Sequence, residues 1–242
     1  MPTNAEVAQR HAMSNTDHAR RAIITGSSSG IGEAIARRLL HDGWEVCGFD
    51  RAPAKLDAPK FKSVIFDLAD AAALSRAVVA EQHVTALVHA AGYMRVAPLG
   101  KLDVDEGAGM WRLHVEAAAL LANDIAPRLP AGGRIVLIGS RTAAGAAERS
   151  QYAATKAALV GMARSWAIEL APRGITVNVI APAATDTPML QDGARGAVTP
   201  RTPPIGRFVR PDEVAALVAF VLSEEAAAIT GQQLVICGGS SL

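Results

Sequence analysis

Apolar residues in this chain come in short unbroken runs, each ending in small or polar residues, with longer mixed stretches between them. Such runs read as strands buried on both faces, and the mixed stretches as helices that cover them. The first run, Arg21–Thr25 (RAIIT), breaks into GSSSGIG at Gly26–Gly32. A helical pattern follows over Glu33–Leu40 and stops at Asp42-Gly43. The spacing predicts further strands at Glu45–Phe49, Ser63–Phe66, Val84–His89, Arg134–Ile138, Ile175–Ile180 and Gln233–Ile236. It predicts helices at Ala71–Glu81, Asp105–Ala126, Ser150–Ala171 and Asp212–Leu222. The stretch Ala181–Pro211 holds six prolines and reads as a long loop with short ordered pieces. Long loops inside compact domains are usually functional, often lids. Strands alternate with helices throughout 21–242, and no composition shift divides them. The expected fold is therefore α/β: a single doubly wound domain with a mainly parallel sheet flanked by helices.

The polar first stretch, 1–20, lacks the apolar centre of a secretory signal. It reads as a flexible N-terminal extension, with His11 and His18 solvated. Composition narrows the picture further. Half of the residues are hydrophobic but only 4% are aromatic, so the core must be built from Ala, Val, Leu and Ile. A net charge of +1 suggests neither a nucleic-acid nor a membrane surface. No apolar run approaches the ~18 residues of a membrane span. Cys47 and Cys237 lack metal-ligand spacing and read as free thiols in a reducing compartment, which points to a cytoplasmic protein without a metal site.

The chemistry concentrates between Ser140 and Lys156. Tyr152 and Lys156 are four apart in an Ala-rich segment, so they share one helix face. Ser140 follows the strand Arg134–Ile138, so strand end and helix start can meet. A free tyrosine has a pKa near ~10. A lysine ammonium one turn away favours the phenolate and brings that value toward working pH. The serine hydroxyl can hold a substrate oxygen in line. The trio suits proton transfer to or from a carbinol oxygen, although YxxxK alone is common on ordinary helices.

Four strand ends look like cofactor contacts. Gly26, Gly30 and Gly32, with Ser28, Ser29 and Ile31 between and around them, make a loop whose glycines admit a pyrophosphate to a helix N-terminus. Asp50 ends the second strand where a ribose-binding acid belongs. Its carboxylate accepts ribose hydroxyls and repels a 2′-phosphate, which favours NAD over NADP. The neighbouring Arg51 is able to pair with that phosphate. Asp67, beside Leu68, meets an adenine amino group or caps the next helix, and both readings stay open. Ala90-Ala91-Gly92 ends the fourth strand with small residues that permit close approach.

These motifs, taken in order, resemble the short-chain dehydrogenases/reductases, in their common branch of about this length. TGSSSGIG at Thr25–Gly32 is similar to that family's TGxxxGxG. Ser140, Tyr152 and Lys156 match its catalytic serine and YxxxK. Asp67, Ala90–Gly92, the NVIAP of Asn178–Pro182 and Thr187 fall where the family keeps cofactor contacts. The resemblance runs from about Arg21 to the C-terminus. It implies a Rossmann-like domain and hydride transfer between a nicotinamide and a secondary alcohol or ketone. Tyr152 would be the general acid/base. Lys156 would lower its pKa and hold the nicotinamide ribose, and Ser140 would orient the substrate oxygen. Thr187 would meet the carboxamide side of the cofactor, as would the backbone of Ile180. The family also implies a homo-oligomer, a tetramer or a dimer. Three positions depart from its pattern. His114 stands in place of the usual helix Asn, Ala90 begins what is normally NAG, and Pro182-Ala183 replaces PG. His114 would either serve the proton relay behind the lysine or pack as a hydrogen-bonded core histidine.

The loops expected round the substrate carry Tyr93, Met94, Arg95, Arg141, Glu148, Arg149, Asp186, Met189 and Leu190. That mixture of charges suggests a polar small molecule: a sugar, polyol or hydroxy acid. The alternatives are a 3-oxoacyl thioester reductase and a non-catalytic NAD-binding regulatory protein, since fold does not fix function.

Overall fold

The computed structural model describes residues 20–191 and 200–242. The expected N-terminal extension, Arg20 apart, lies outside them, as does 192–199 within the proline-rich loop. Seven strands form one sheet: β1 Arg21–Thr25, β2 Glu45–Asp50, β3 Phe61–Ile65, β4 Ala86–His89, β5 Arg134–Ile138, β6 Thr176–Pro182 and β7 Gln233–Ile236. Their order is β3-β2-β1-β4-β5-β6-β7, and every pair is parallel. Every residue of β4, β5 and β6 is buried, whereas edge strands β3 and β7 mix partly buried and exposed positions. Central strands covered on both faces read as unbroken apolar runs, and the strand period of two reappears at the edge strand β7.

Successive strand residues feed opposite cores. Ile23, Leu87, Ile135 and Leu137 pack with α2 (Ala71–Ala80), α4 (Ala117–Ile125) and α5 (Ser150–Leu170) through Leu74, Leu121 and Leu159. Ile24, Val88, Val136 and Ile138 pack with α1 (Gly30–His41) and α7 (Pro211–Leu222) through Ile35, Leu39 and Val218. Each such buried aliphatic side chain contributes about 2 kcal/mol. The strand order reverses between β1 and β4. The crevice above that reversal, at the carboxyl ends of the strands, is where such sheets hold ligands.

Two segments differ from the pattern-based reading. The helix expected over Asp105–Ala126 is broken: α3 (Val104–Trp111) and α4 are joined by a π turn at Arg112–Glu116. One inserted residue rotates the following face by about 100°, but the next stretch, AAALLANDI, is apolar almost all round and does not show the shift. The His89 ring nitrogen Nε2 lies 3.1 Å from the carbonyl oxygen of Leu113 in that turn. The long loop after β6 also starts later than expected. Ala181 and Pro182 remain in the sheet opposite Val235 and Ile236. A short α6 (Pro188–Gln191) and a bridge between Thr185 and Val209 order the described parts that follow.

Candidate active site

The glycine loop leaves β1 at Gly26, whose φ of 72° lies in the left-handed region. A Cβ there would sit 2.8 Å from Ala91 Cα and 2.9 Å from Ala91 N. Only glycine lets the ends of β1 and β4 approach so closely. Thr25 Oγ1 pins that approach by accepting the N–H groups of Ala90 and Ala91, each at 3.0 Å. Its own hydrogen points to His89 Nδ1, 2.9 Å away. Thr25 enters the sequence reading only as the first residue of the TGxxxGxG resemblance, with no role given to it, and His89, a histidine inside a buried strand, belongs to no motif.

Asp50 at the end of β2 is buried. It accepts the Ser28 N–H through Oδ2 at 3.0 Å and the Ala52 N–H through Oδ1 at 3.1 Å. The carboxylate thereby ties the second strand to the glycine loop. Arg51 beside it is exposed and enters no ion pair among the described residues. Of the two readings of Asp67, the helix cap goes elsewhere: Asp70 caps α2 by accepting the Ala73 N–H at 3.0 Å. The Asp67 carboxylate accepts the Ala69 N–H of its own turn, at 2.9 Å, and the residue lines the cavity.

Ser140, Tyr152 and Lys156 are all buried. Ser140 ends β5. Its Oγ accepts the Thr142 N–H at 3.0 Å, which leaves the hydroxyl hydrogen for another oxygen. Lys156 Nζ donates to the Ile138 carbonyl at 2.9 Å and lies 5.8 Å from the centre of the Tyr152 ring. Burial pushes its pKa down to about 7. The ammonium invoked to acidify Tyr152 is thus only partly present near neutrality. This qualifies the sequence argument, which considered the neighbouring charge but not its desolvation.

His114 is fully buried in the π turn. Its Nε2 accepts the Tyr93 N–H at 3.1 Å, so the proton sits on Nδ1, 2.8 Å from Thr155 Oγ1. Thr155 passes its hydrogen to the Tyr152 carbonyl at 2.8 Å. Burial, then the Lys156 charge and His89, hold His114 well below the usual histidine range. Both ring nitrogens are committed to structure. Of the two readings of His114, the packed, hydrogen-bonded one matches this geometry.

One cavity of about 1200 Å³ joins these groups. It is lined from Gly26, Ser28, Ser29, Gly30, Ile31 and Gly32 through Asp50, Arg51, Asp67 and Leu68 to Ala90, Ala91 and Gly92. It continues past His114, Ser140, Tyr152 and Lys156 to Pro182 and Thr187. The expected catalytic residues and the expected cofactor contacts, the Ile180 backbone apart, therefore face one space. A dinucleotide fits the residues present. The first turn of α1 opens on the cavity, and at Gly92 a Cβ would meet the His114 ring at 2.8 Å. The expected substrate-loop residues divide: Tyr93, Met94, Arg95, Arg141, Arg149, Met189 and Leu190 line the cavity, while Glu148 and Asp186 do not. Glu106, Gly109 and Arg112 line it too, brought there by the break between α3 and α4. Among the described residues there is no cluster of three or more metal-ligating side chains, and no helix is long and apolar enough to cross a membrane.

A parallel sheet with this strand order, a glycine loop at its switch point and a Ser–Tyr–Lys trio opposite define a nucleotide-dependent oxidoreductase. Comparison with known proteins agrees. A family profile described as enoyl-(acyl carrier protein) reductase matches residues 26–241. D-threitol dehydrogenase of Mycolicibacterium smegmatis is 33% identical over 240 residues, covering 91% of this chain and 92% of that protein. The 3-oxoacyl-[acyl-carrier-protein] reductase FabG of Salmonella typhimurium is 35% identical over 238 residues, covering 90% and 96%. A blue fluorescent protein from a metagenomic library, solved in complex with NADPH, superimposes with a TM-score of 0.82 at 31% identity, covering 93% and 99%. The chain belongs to the short-chain dehydrogenase/reductase family. It is an oxidoreductase of that family, whose members bind a nicotinamide cofactor.

Proposed function

We propose that the protein is an NAD-dependent dehydrogenase/reductase acting on a secondary alcohol or ketone of a polar small molecule: a sugar, polyol or hydroxy acid. The observation that carries this is the convergence of Ser140, Tyr152 and Lys156 on the cavity that the glycine loop also lines. The nicotinamide, when bound, supplies a hydride acceptor or donor at its ring carbon. The chain's residues handle the proton and the geometry. Ser140 Oγ, its acceptor side taken by Thr142, donates to the substrate oxygen. Tyr152 takes the carbinol proton as the C–H hydride leaves, so that CH–OH becomes C=O, and returns it in reduction. Lys156, anchored on the Ile138 carbonyl, stands beside Tyr152 and stabilises its anion when charged. His114 is a positioning residue that fixes the Tyr93 backbone N–H and the Thr155 hydroxyl beside the trio.

Asp50 supports NAD. A buried carboxylate at the end of β2 lines the cavity and would repel a 2′-phosphate brought close to it, since like charges repel. The NADPH bound to the metagenomic relative argues for the phosphorylated cofactor, and here Arg51 is the residue able to receive it. A 3-oxoacyl thioester substrate is favoured by the likeness to FabG. A homo-oligomer accords with exposed Trp111 and Ile168 on the helices α3 and α5. The test is NAD(P) reduction at 340 nm over sugars, polyols and hydroxy acids, with 3-oxoacyl substrates and NADH in the reverse direction. Tyr152→Phe is run beside the wild type. Turnover lost in the variant by at least about 100-fold supports the reading. Cofactor binding without turnover on the whole panel supports a nucleotide-binding regulatory protein instead.

A further inference from the structure

Charge on the substrate side of the cavity is one-sided. Glu148 and Asp186, the acids on the surrounding loops, do not line it. Glu106 does, but Arg95 engages it at 3.3 Å and stacks over the Tyr93 ring at 4.9 Å. Arg141 and Arg149 also line the cavity, are half-buried, and enter no ion pair among the described residues. The Nε of each is buried without a hydrogen-bond partner. A guanidinium stays charged at any working pH, and desolvated charges in proteins are normally paired. Two unpaired donors in one cavity point to an anion that arrives with the substrate.

The backbone holds both arginines beside the trio. Arg141 follows Ser140, in the 3-10 turn that the Ser140 side chain caps. Arg149 lies one turn before Tyr152. The preceding Glu148 has a φ of 62°, uncommon for a residue with a side chain, and its carbonyl accepts the Ala97 N–H at 2.9 Å. Arg149 occupies the N-cap of α5 with no side-chain cap bond, where a cation opposes the helix dipole. Two local preferences are overridden to keep this arginine in place, the kind of strain that gathers at ligand sites.

We propose that Arg141 and Arg149 bind a carboxylate on the substrate, so that the secondary alcohol is a hydroxy acid and its ketone a keto acid. This rests on the dehydrogenase reading above and narrows its substrate class. Guanidinium donors match the two coplanar oxygens of a carboxylate, and both arginines line the cavity, Arg141 next in the chain to Ser140 and Arg149 one turn before Tyr152. A phosphate monoester shares the chemistry and is one arm of the test.

The probes are lactate, glycerate and both enantiomers of 3-hydroxybutyrate, each beside its neutral amide, together with threitol, glucose and glycerol 3-phosphate. Turnover with NAD and NADP and calorimetric binding to the NADH complex are measured for wild type, Arg149→Met, Arg149→Lys and Arg141→Met. Thermal unfolding confirms that each variant is folded. The expected result is that at least one acid exceeds its amide by about 10- to 100-fold in kcat/KM or affinity. Arg149→Met and Arg141→Met erase that ratio through KM, and Arg149→Lys restores part of it. The binding measurement separates the two readings. Acid binding lost in the arginine variants, with no turnover anywhere, sustains the carboxylate site and overturns the dehydrogenase. Equal affinity for acids and amides, a preference for the neutral sugars or the phosphate ester, or acid-to-amide ratios unchanged in the variants overturns the carboxylate site.

Discussion

Acid should destabilise this protein through two particular histidines, and the size of the effect follows from their surroundings. His89 and His114 are buried, and burial holds both below the ordinary value, His89 at about 3. The unfolded chain takes up protons near pH ~6.5 while the folded chain does not. Their stability contribution is therefore present above pH ~6.5 and lost as pH falls, at about 1.4 kcal/mol per pH unit for each. At pH 5 His89 alone has cost about 2 kcal/mol, and His114 adds a loss of the same sign. In a chain of this length the His89 part lowers Tm by about 4–8 °C. His114→Asn removes one of the two groups. Asn can reach Thr155, but it leaves the Tyr93 N–H buried and unpaired, so the variant is about 1–3 kcal/mol less stable at pH 7.5. Calorimetric or circular-dichroism melts of both proteins at pH 7.5, 6 and 5 provide the assay. Carboxylates titrate alike in the two, so the gap between the curves isolates His114. It should close progressively between pH 7.5 and 5. A constant gap, or a His114 resonance that titrates near pH 6.5, would refute the assignment of a neutral structural imidazole.

Lys156 carries the same sign in a higher pH window. Its folded value of about 7 lies below the ordinary 10.5, so the buried charge weakens the fold below pH 7 and is relieved as pH rises from there toward 10.5. Lys156→Met should therefore lose the wild-type gain between pH 7 and 9.5, at most about 3 kcal/mol, and parallel stability curves would contradict this. Gly26→Ala places a Cβ against the Ala91 backbone at a left-handed φ and should cost at least about 1–2 kcal/mol, seen as a Tm drop and weakened NADH fluorescence enhancement. Asp50→Ser, beside Arg51, should shift kcat/KM toward NADP by about tenfold or more relative to NAD, and an unchanged ratio would remove Asp50 from cofactor choice.

The sequence by itself determined the layered α/β architecture, because central strands covered on both faces need unbroken apolar runs, and Val84–His89 and Arg134–Ile138 supplied them. It also determined which residues face the cavity from the strand ends. Gly26 and Gly32 answer to local backbone geometry, and the four-residue step from Tyr152 to Lys156 sets a helix face. What the spacing could not carry were facts about neighbours distant in the chain. The π turn at Arg112–Glu116 is one inserted residue, and the chain accommodates it where His89, from another strand, meets the Leu113 carbonyl. His114 remained open between relay and packing until Tyr93 and Thr155 were placed on its two nitrogens. The loops seemed evenly charged until folding turned Glu148 and Asp186 away from the cavity and left Arg141 and Arg149 lining it. Periodicity reports whether a residue is inside or outside. Protonation state and charge balance depend on which groups meet there, and only the tertiary structure decides that.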